Sequence, residues 1–132
     1  MADPLYVDDK TILDDSALWR RNPPQWAVRD DNEGGWRVTS AAFSDSSDKS
    51  PLSVWLAEVV VASGRGPLDI LARFEGHSLA TFTAGAVREL GQGVARTPTP
   101  KEPAHASVFG RKTDAVRRKL ARAARWVVAP QE

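Results

Sequence analysis

The chain has no cysteine, one methionine and one tyrosine among its 132 residues, and its formal net charge is only +1. Without cysteine there is no disulfide, no thiolate nucleophile and no zinc–thiolate site. Long hydrophobic runs are missing too. The longest, Val54 to Ala62, is broken by Glu58 and is far shorter than the roughly 20 residues a bilayer-crossing helix needs. The start, MADPLYVDDK, is acidic and has neither the basic region nor the apolar core of a signal peptide. Only two histidines occur, His77 and His105, and neither stands at a metal-ligand spacing from a carboxylate. These absences lead us to expect a cytoplasmic protein with no membrane association, no metal and no resident cofactor. A hydrophobic fraction of 42% with 27% charged residues argues against wholesale disorder. The length suits a single domain.

The small net charge conceals a segregation. Residues 1–15 hold five aspartates against Lys10, whereas residues 111–125 hold seven cations against Asp114. The stretch between them is balanced. Two uses suggest themselves: the ends attract one another across the fold, or the basic end faces an anionic partner. The first is the plainer reading, and salt screening makes either a minor contribution to stability.

Along the chain, residues 1–16 read as an acidic, loosely packed segment, followed by one globular domain over 17–132. Leu18-Trp19 is the first apolar nucleus, and Asn22-Pro23-Pro24 marks a turn. The alternation around Trp26-Ala27-Val28-Arg29 and Trp36-Arg37-Val38-Thr39, separated by a turn-rich link, predicts a hairpin. Ser44 to Lys49 is a polar loop. Ser50-Pro51 and Gly64 bracket an apolar stripe and predict a helix over 51–62, with Val59-Val60-Val61 leaving a strand open at its C-terminal half. Gly66-Pro67 starts a shorter helix. Leu79 to Thr83 reads as a strand, with Thr83 capping a helix through Leu90. Prolines keep 97–103 extended, Ala104 to Phe109 is a strand, and a last helix starts near Thr113. The class is α+β: a small, mainly antiparallel sheet with three to four helices, the last one basic and amphipathic.

That last helix is the most readable feature. Val116, Leu120, Ala123, Ala124 and Val127 fall on one face at 100° per residue, and cations cover the rest. The ordinary reading is a solvated face, with the Lys and Arg stems covering apolar edges. The functional reading is contact with phosphates or another anionic surface, which makes Arg111, Lys112, Thr113, Arg117, Arg118, Arg122 and Arg125 the candidate anion-binding residues. Gly110-Arg111-Lys112-Thr113 adds backbone amides, a hydroxyl and two cations where a strand passes into a helix, a place where an anion can bind. It is not a P-loop, because Arg111 intrudes before the lysine and His105 stands where the first glycine belongs. Capping by Thr113 is the simple alternative. No zinc spacing, RRM aromatic pattern or GXXG loop accompanies the helix.

Other chemistry is sparse. His105 is the better histidine for a polar site, against a hydrogen-bonded structural role. Ser44, Ser46 and Ser47 are loop residues with no base nearby in sequence. Five tryptophans, Trp19, Trp26, Trp36, Trp55 and Trp126, are core material first. The less buried of them, Trp26 or Trp36, would serve as stacking platforms for bases or for a nicotinamide or adenine ring.

The run Leu18-Trp19-Arg20-Arg21, Gly34-Gly35-Trp36-Arg37, Thr39-Ser40-Ala41-Ala42-Phe43-Ser44 and Leu52-Ser53-Val54-Trp55-Leu56-Ala57-Glu58 resembles the N-terminal half of the ADP-ribosyltransferase-like fold, including the RES-type toxins that consume NAD. The resemblance spans residues 18–62. It implies Arg20 on the NAD phosphates, Ser40 in a positioning role and Glu58 at the ribose or scissile bond, with NAD as the cofactor. The Trp-Asn pair usual in that group is missing after Trp36-Arg37, and Tyr6 lies outside the run.

Two readings therefore stand. The lead is a small non-catalytic binding or accessory protein whose basic helix contacts nucleic acid or an acidic protein surface. The alternative is an NAD-consuming enzyme built on Arg20, Ser40 and Glu58. A third, a homo-oligomer paired through the apolar segment 51–62, is a matter for size measurement in solution.

Overall fold

The computed structural model describes residues 6–32, 34–45 and 51–130. Six strands form the main sheet: β1 (Ala17–Asn22), β4 (Leu52–Leu56), β5 (Ser78–Thr83), β6 (Gly93–Arg96), β7 (His105–Phe109) and β8 (Arg125–Val128). Their order is β6-β7-β4-β1-β5-β8, and every neighbouring pair is antiparallel. A separate two-stranded hairpin joins β2 (Ala27–Arg29) to β3 (Trp36–Val38), as the alternation predicts. The helices are short: α1 (Ala57–Ala62), α2 (Pro67–Leu71), α3 (Ala84–Glu89) and α4 (Asp114–Ala123). The α+β class with a mainly antiparallel sheet holds.

Both faces of the sheet are covered. On one, Leu18, Leu52, Val54, Phe82, Ala106 and Val108 pack with Val87 of α3, Leu120 of α4 and Phe43. Phe43 comes from a 3-10 turn over Ser40–Phe43 and meets Phe82 edge-to-face at 5.4 Å. On the other face, Trp19 and Leu79 pack with Val60 of α1 and Ile70 of α2. Truncating a fully buried leucine such as Leu18 or Leu56 to alanine costs about 2–5 kcal/mol.

Local signals placed several ends. Thr83 Oγ1 accepts from Ala86 N–H and opens α3, and Thr113 Oγ1 accepts from Val116 N–H and opens α4. Both threonines cap where their sequence position predicts. Gly64 follows α1 with φ +82, a left-handed conformation that glycine adopts without a Cβ clash.

Three expectations are corrected. The helix predicted over 51–62 divides into β4 and then α1. Leu52, Val54 and Leu56 are buried while Ser53 and Trp55 lie between them, a period of two that belongs to a strand. The β-branched half is the helical half, because Val60 reaches the core from α1. The proposed Ser50 cap lies outside the described residues. Second, the basic helix stops at Ala123 and does not continue through Val127; Trp126-Val127-Val128 pairs with β5 instead, as β-branched and aromatic residues favour. Third, residues 6–16 are firmly attached where loose packing was expected. Ile12 is completely buried, and Arg88 of α3 binds Asp8, Asp14 and the Asp9 carbonyl.

Candidate anion-binding cleft

The hairpin is anchored at its base. Thr39 donates its N–H and its hydroxyl to the Trp26 carbonyl at 2.8 and 3.0 Å, and Val38 is buried in the core. α4 lies beside it, with Leu120 turned into the same core. After α4 ends, β8 carries Trp126, whose indole Nε1–H donates to the Trp36 carbonyl at 2.9 Å. Hairpin, helix and final strand thus enclose a cleft of about 950 Å³.

Its walls are cationic and aromatic. β3 supplies Trp36 and Arg37, the 3-10 turn supplies Ser40, α4 supplies Arg118 and Arg122, and β8 supplies Arg125 and Trp126. Against four arginines the lining has one carboxylate, Asp30. Arg37, Arg118 and Arg122 are exposed and pair with no carboxylate among the described residues. Arg125 Nη1 donates to the carbonyls of Arg122 and Ala124, at 2.8 and 3.0 Å, and so closes the helix C-terminus as a cation favourably can. The Arg29 guanidinium lies 4.6 Å from the centre of the Trp36 ring.

The remaining anion-site candidates are placed differently. Lys112 is almost wholly buried, its ammonium 3.0 Å from Asp45 and hydrogen-bonded to the carbonyls of Val108 and Gly110. Burial pulls its pKa below the ordinary lysine value, with Asp45 opposing that shift. Thr113 is the helix cap, and Arg111 is exposed. The sequence Gly110-Arg111-Lys112-Thr113 therefore presents a single outward cation, because the Lys112 charge turns inward to Asp45. Arg117 pairs with Asp114 three residues earlier and also donates to Ser44 Oγ at 3.4 Å. His105 Nδ1 is held by the carbonyl and hydroxyl of Thr97, at 2.9 and 2.8 Å, and that hydroxyl also meets Ser107. His105 thus ties β7 to the chain following β6.

Arg20, Ser40 and Glu58 come from three different elements, β1, the 3-10 turn and α1. Arg20 is held beneath the 3-10 turn, donating from Nε to the Ala42 carbonyl at 3.0 Å and from Nη1 to the Ser53 carbonyl at 2.9 Å. Burial, with Arg21 nearby, lowers its pKa to about 10, so it stays charged at neutral pH but faces protein oxygens. Glu58 is exposed in the first turn of α1 and accepts from Ser16 Oγ at 3.5 Å. Arg20 lies four residues beyond Ser16 along extended chain, about 13 Å away. Ser40 lines the basic cleft, whose walls contain neither of the other two.

Sequence reasoning missed a second charged arrangement. Arg65 grips Glu102 through both terminal nitrogens at 2.7 Å, and Glu102 also accepts from Trp55 Nε1–H and Ala104 N–H. The Arg65 hydrogen bond foremost holds the Glu102 pKa down at about 2. It missed Arg37 in the cleft as well, since nothing local in Trp36-Arg37-Val38 shows that the hairpin lies against α4. Among the described residues no group of three or more potential metal ligands gathers, and no helix is long and apolar enough to cross a membrane. No protein-family model, no curated protein and no solved structure matches the chain.

Proposed function

We propose that the protein is a small non-catalytic binding protein that presents the α4 cleft to an anionic partner. The observation that carries this is the convergence of Arg37, Arg118, Arg122 and Arg125 on one cleft, three of them without a carboxylate partner among the described residues. Arginines left in this state are available to oxyanions, and their planar donor fork suits phosphate and carboxylate alike. The lowered count of usable cations at the start of α4 moves the contact surface toward the middle and end of that helix.

Binding to immobilised inorganic polyphosphate tests the reading. The wild-type chain should be retained at low salt and released as salt rises. The double substitution R118E/R122E should abolish retention while moving the thermal midpoint little, because both side chains are exposed. Retention unaffected by the double substitution would remove the proposal.

A further inference from the structure

We infer that the occupant of this cleft is single-stranded nucleic acid, a reading that rests on the anionic-partner proposal and narrows it. Charge alone does not select among phosphates, carboxylates and sulfates. The aromatic content of the same walls adds a second feature that a nucleic-acid strand can use. Trp36 and Trp126 stand among the four arginines, and the indole hydrogen bond from Trp126 to the Trp36 carbonyl fixes one tryptophan against the backbone of the other. Unpaired bases stack on tryptophan rings while arginines hold the phosphates, so a nucleotide strand can engage both features of these walls at once. The Arg29 guanidinium lies over Trp36, so this ring already attracts a planar cation.

Shape argues for one strand over two. The site is a slot between a hairpin and a helix, and a duplex offers it a broad convex surface with its bases stacked inside. An extended strand can lie along α4, where Arg118 and Arg122 sit one helical turn apart, about 6 Å along the axis. That rise is close to the step between consecutive phosphates of an extended strand. Ser40 adds a hydroxyl to the wall, and Asn32 an amide able to meet a base edge. The volume, about 950 Å³, is at the upper end of the roughly 300–1,000 Å³ of small-ligand sites, enough for more than one nucleotide unit.

Fluorescence anisotropy with a labelled oligothymidylate of about 12 nucleotides tests the inference, with a duplex of the same length, inorganic polyphosphate and thymidine monophosphate as competitors. The oligothymidylate should bind more tightly than the duplex, and neither polyphosphate nor monophosphate at equal phosphate concentration should displace it efficiently. Trp36→Ala should weaken the oligothymidylate by about tenfold, and Trp36→Phe should retain most of the affinity. A 5-bromouracil-substituted strand, irradiated on the wild-type protein, should crosslink to Trp36 or Trp126, a readout that needs no variant to fold. Crosslinking confined to other residues would overturn the inference. So would a duplex that binds as well, or thymidine monophosphate that competes as well per nucleotide. Equal binding of polyphosphate and oligothymidylate, both abolished by R118E/R122E, would overturn the single-strand inference and leave the anionic-partner reading standing. Failure of both polyanions to bind would remove the two together.

Discussion

Arg88 and Arg118 are both helical arginines, yet the fold treats them in opposite ways. Arg88 leaves α3 and meets both oxygens of Asp8 at 3.1 Å, Asp14 at 2.8 Å and the Asp9 carbonyl at 2.9 Å. Arg65 is similarly matched to Glu102. Arg118 and its neighbour Arg122 face the α4 cleft with no carboxylate among the described residues. The contrast shows that cationic density does not by itself define a binding surface. Lys112 and Arg117 contribute to the same basic segment, but Asp45 and Asp114 pair with them. What distinguishes a docking arginine from a structural one is whether the fold has already supplied its anion.

Stability separates the two classes most sharply. Arg88→Ala removes the ion pairs to Asp8 and Asp14 and the bond to the Asp9 carbonyl, leaving Asp8 on Val94 N–H, and should lower the unfolding free energy in urea by about 2–3 kcal/mol. Arg118→Ala should change it by less than about 0.5 kcal/mol. Equal costs would erase the distinction. A narrower effect concerns Glu102. Its folded pKa of about 2 lies below the ordinary glutamate value of 4.5, so the stability it contributes is complete above about pH 4.5. That contribution is lost as the pH falls from 4.5 towards 2. A Glu102→Gln variant should therefore show a flatter dependence of the thermal midpoint on pH across this window. The cleft arginines should leave that dependence unaltered. The finest test is ionic: removing Arg118 or Arg122 singly should reduce the slope of log affinity against log salt by about 1, and removing Arg88 should not alter it.

Where the signal is local, the sequence was readable. Gly66-Pro67 announces α2, Thr83 and Thr113 announce their helices, and the alternation on either side of Gly34-Gly35 announces the hairpin. Central strands were harder. In β1, Leu18 and Trp19 are both buried because each face of the sheet is covered, so alternation is lost. The basic helix was found, but its end was not, because Ala123-Ala124-Arg125-Trp126 continues the helical pattern while pairing with β5 decides the outcome. The candidate cleft was half legible. Arg118, Arg122 and Arg125 stand together on one segment, whereas Arg37 and Trp36 reach them only through a hairpin some 80 residues earlier in the chain. The partners of Arg88 are equally remote, 74 to 80 residues away, and no short-range pattern encodes them.

The attachment of residues 6–16 has one more consequence. β6 ends the sheet, and a terminal strand leaves backbone groups able to recruit a strand from another molecule. Here Asp9 N–H donates to the Val94 carbonyl at 2.8 Å, while the Asp8 carboxylate accepts from Val94 N–H at 2.9 Å. The Asp8 carboxylate therefore takes the place a neighbouring strand's carbonyl would hold, and it does so with a charge that an approaching apolar strand cannot match. The acidic segment thus occupies the Val94 position on this border of the sheet, where a strand from another molecule would otherwise pair.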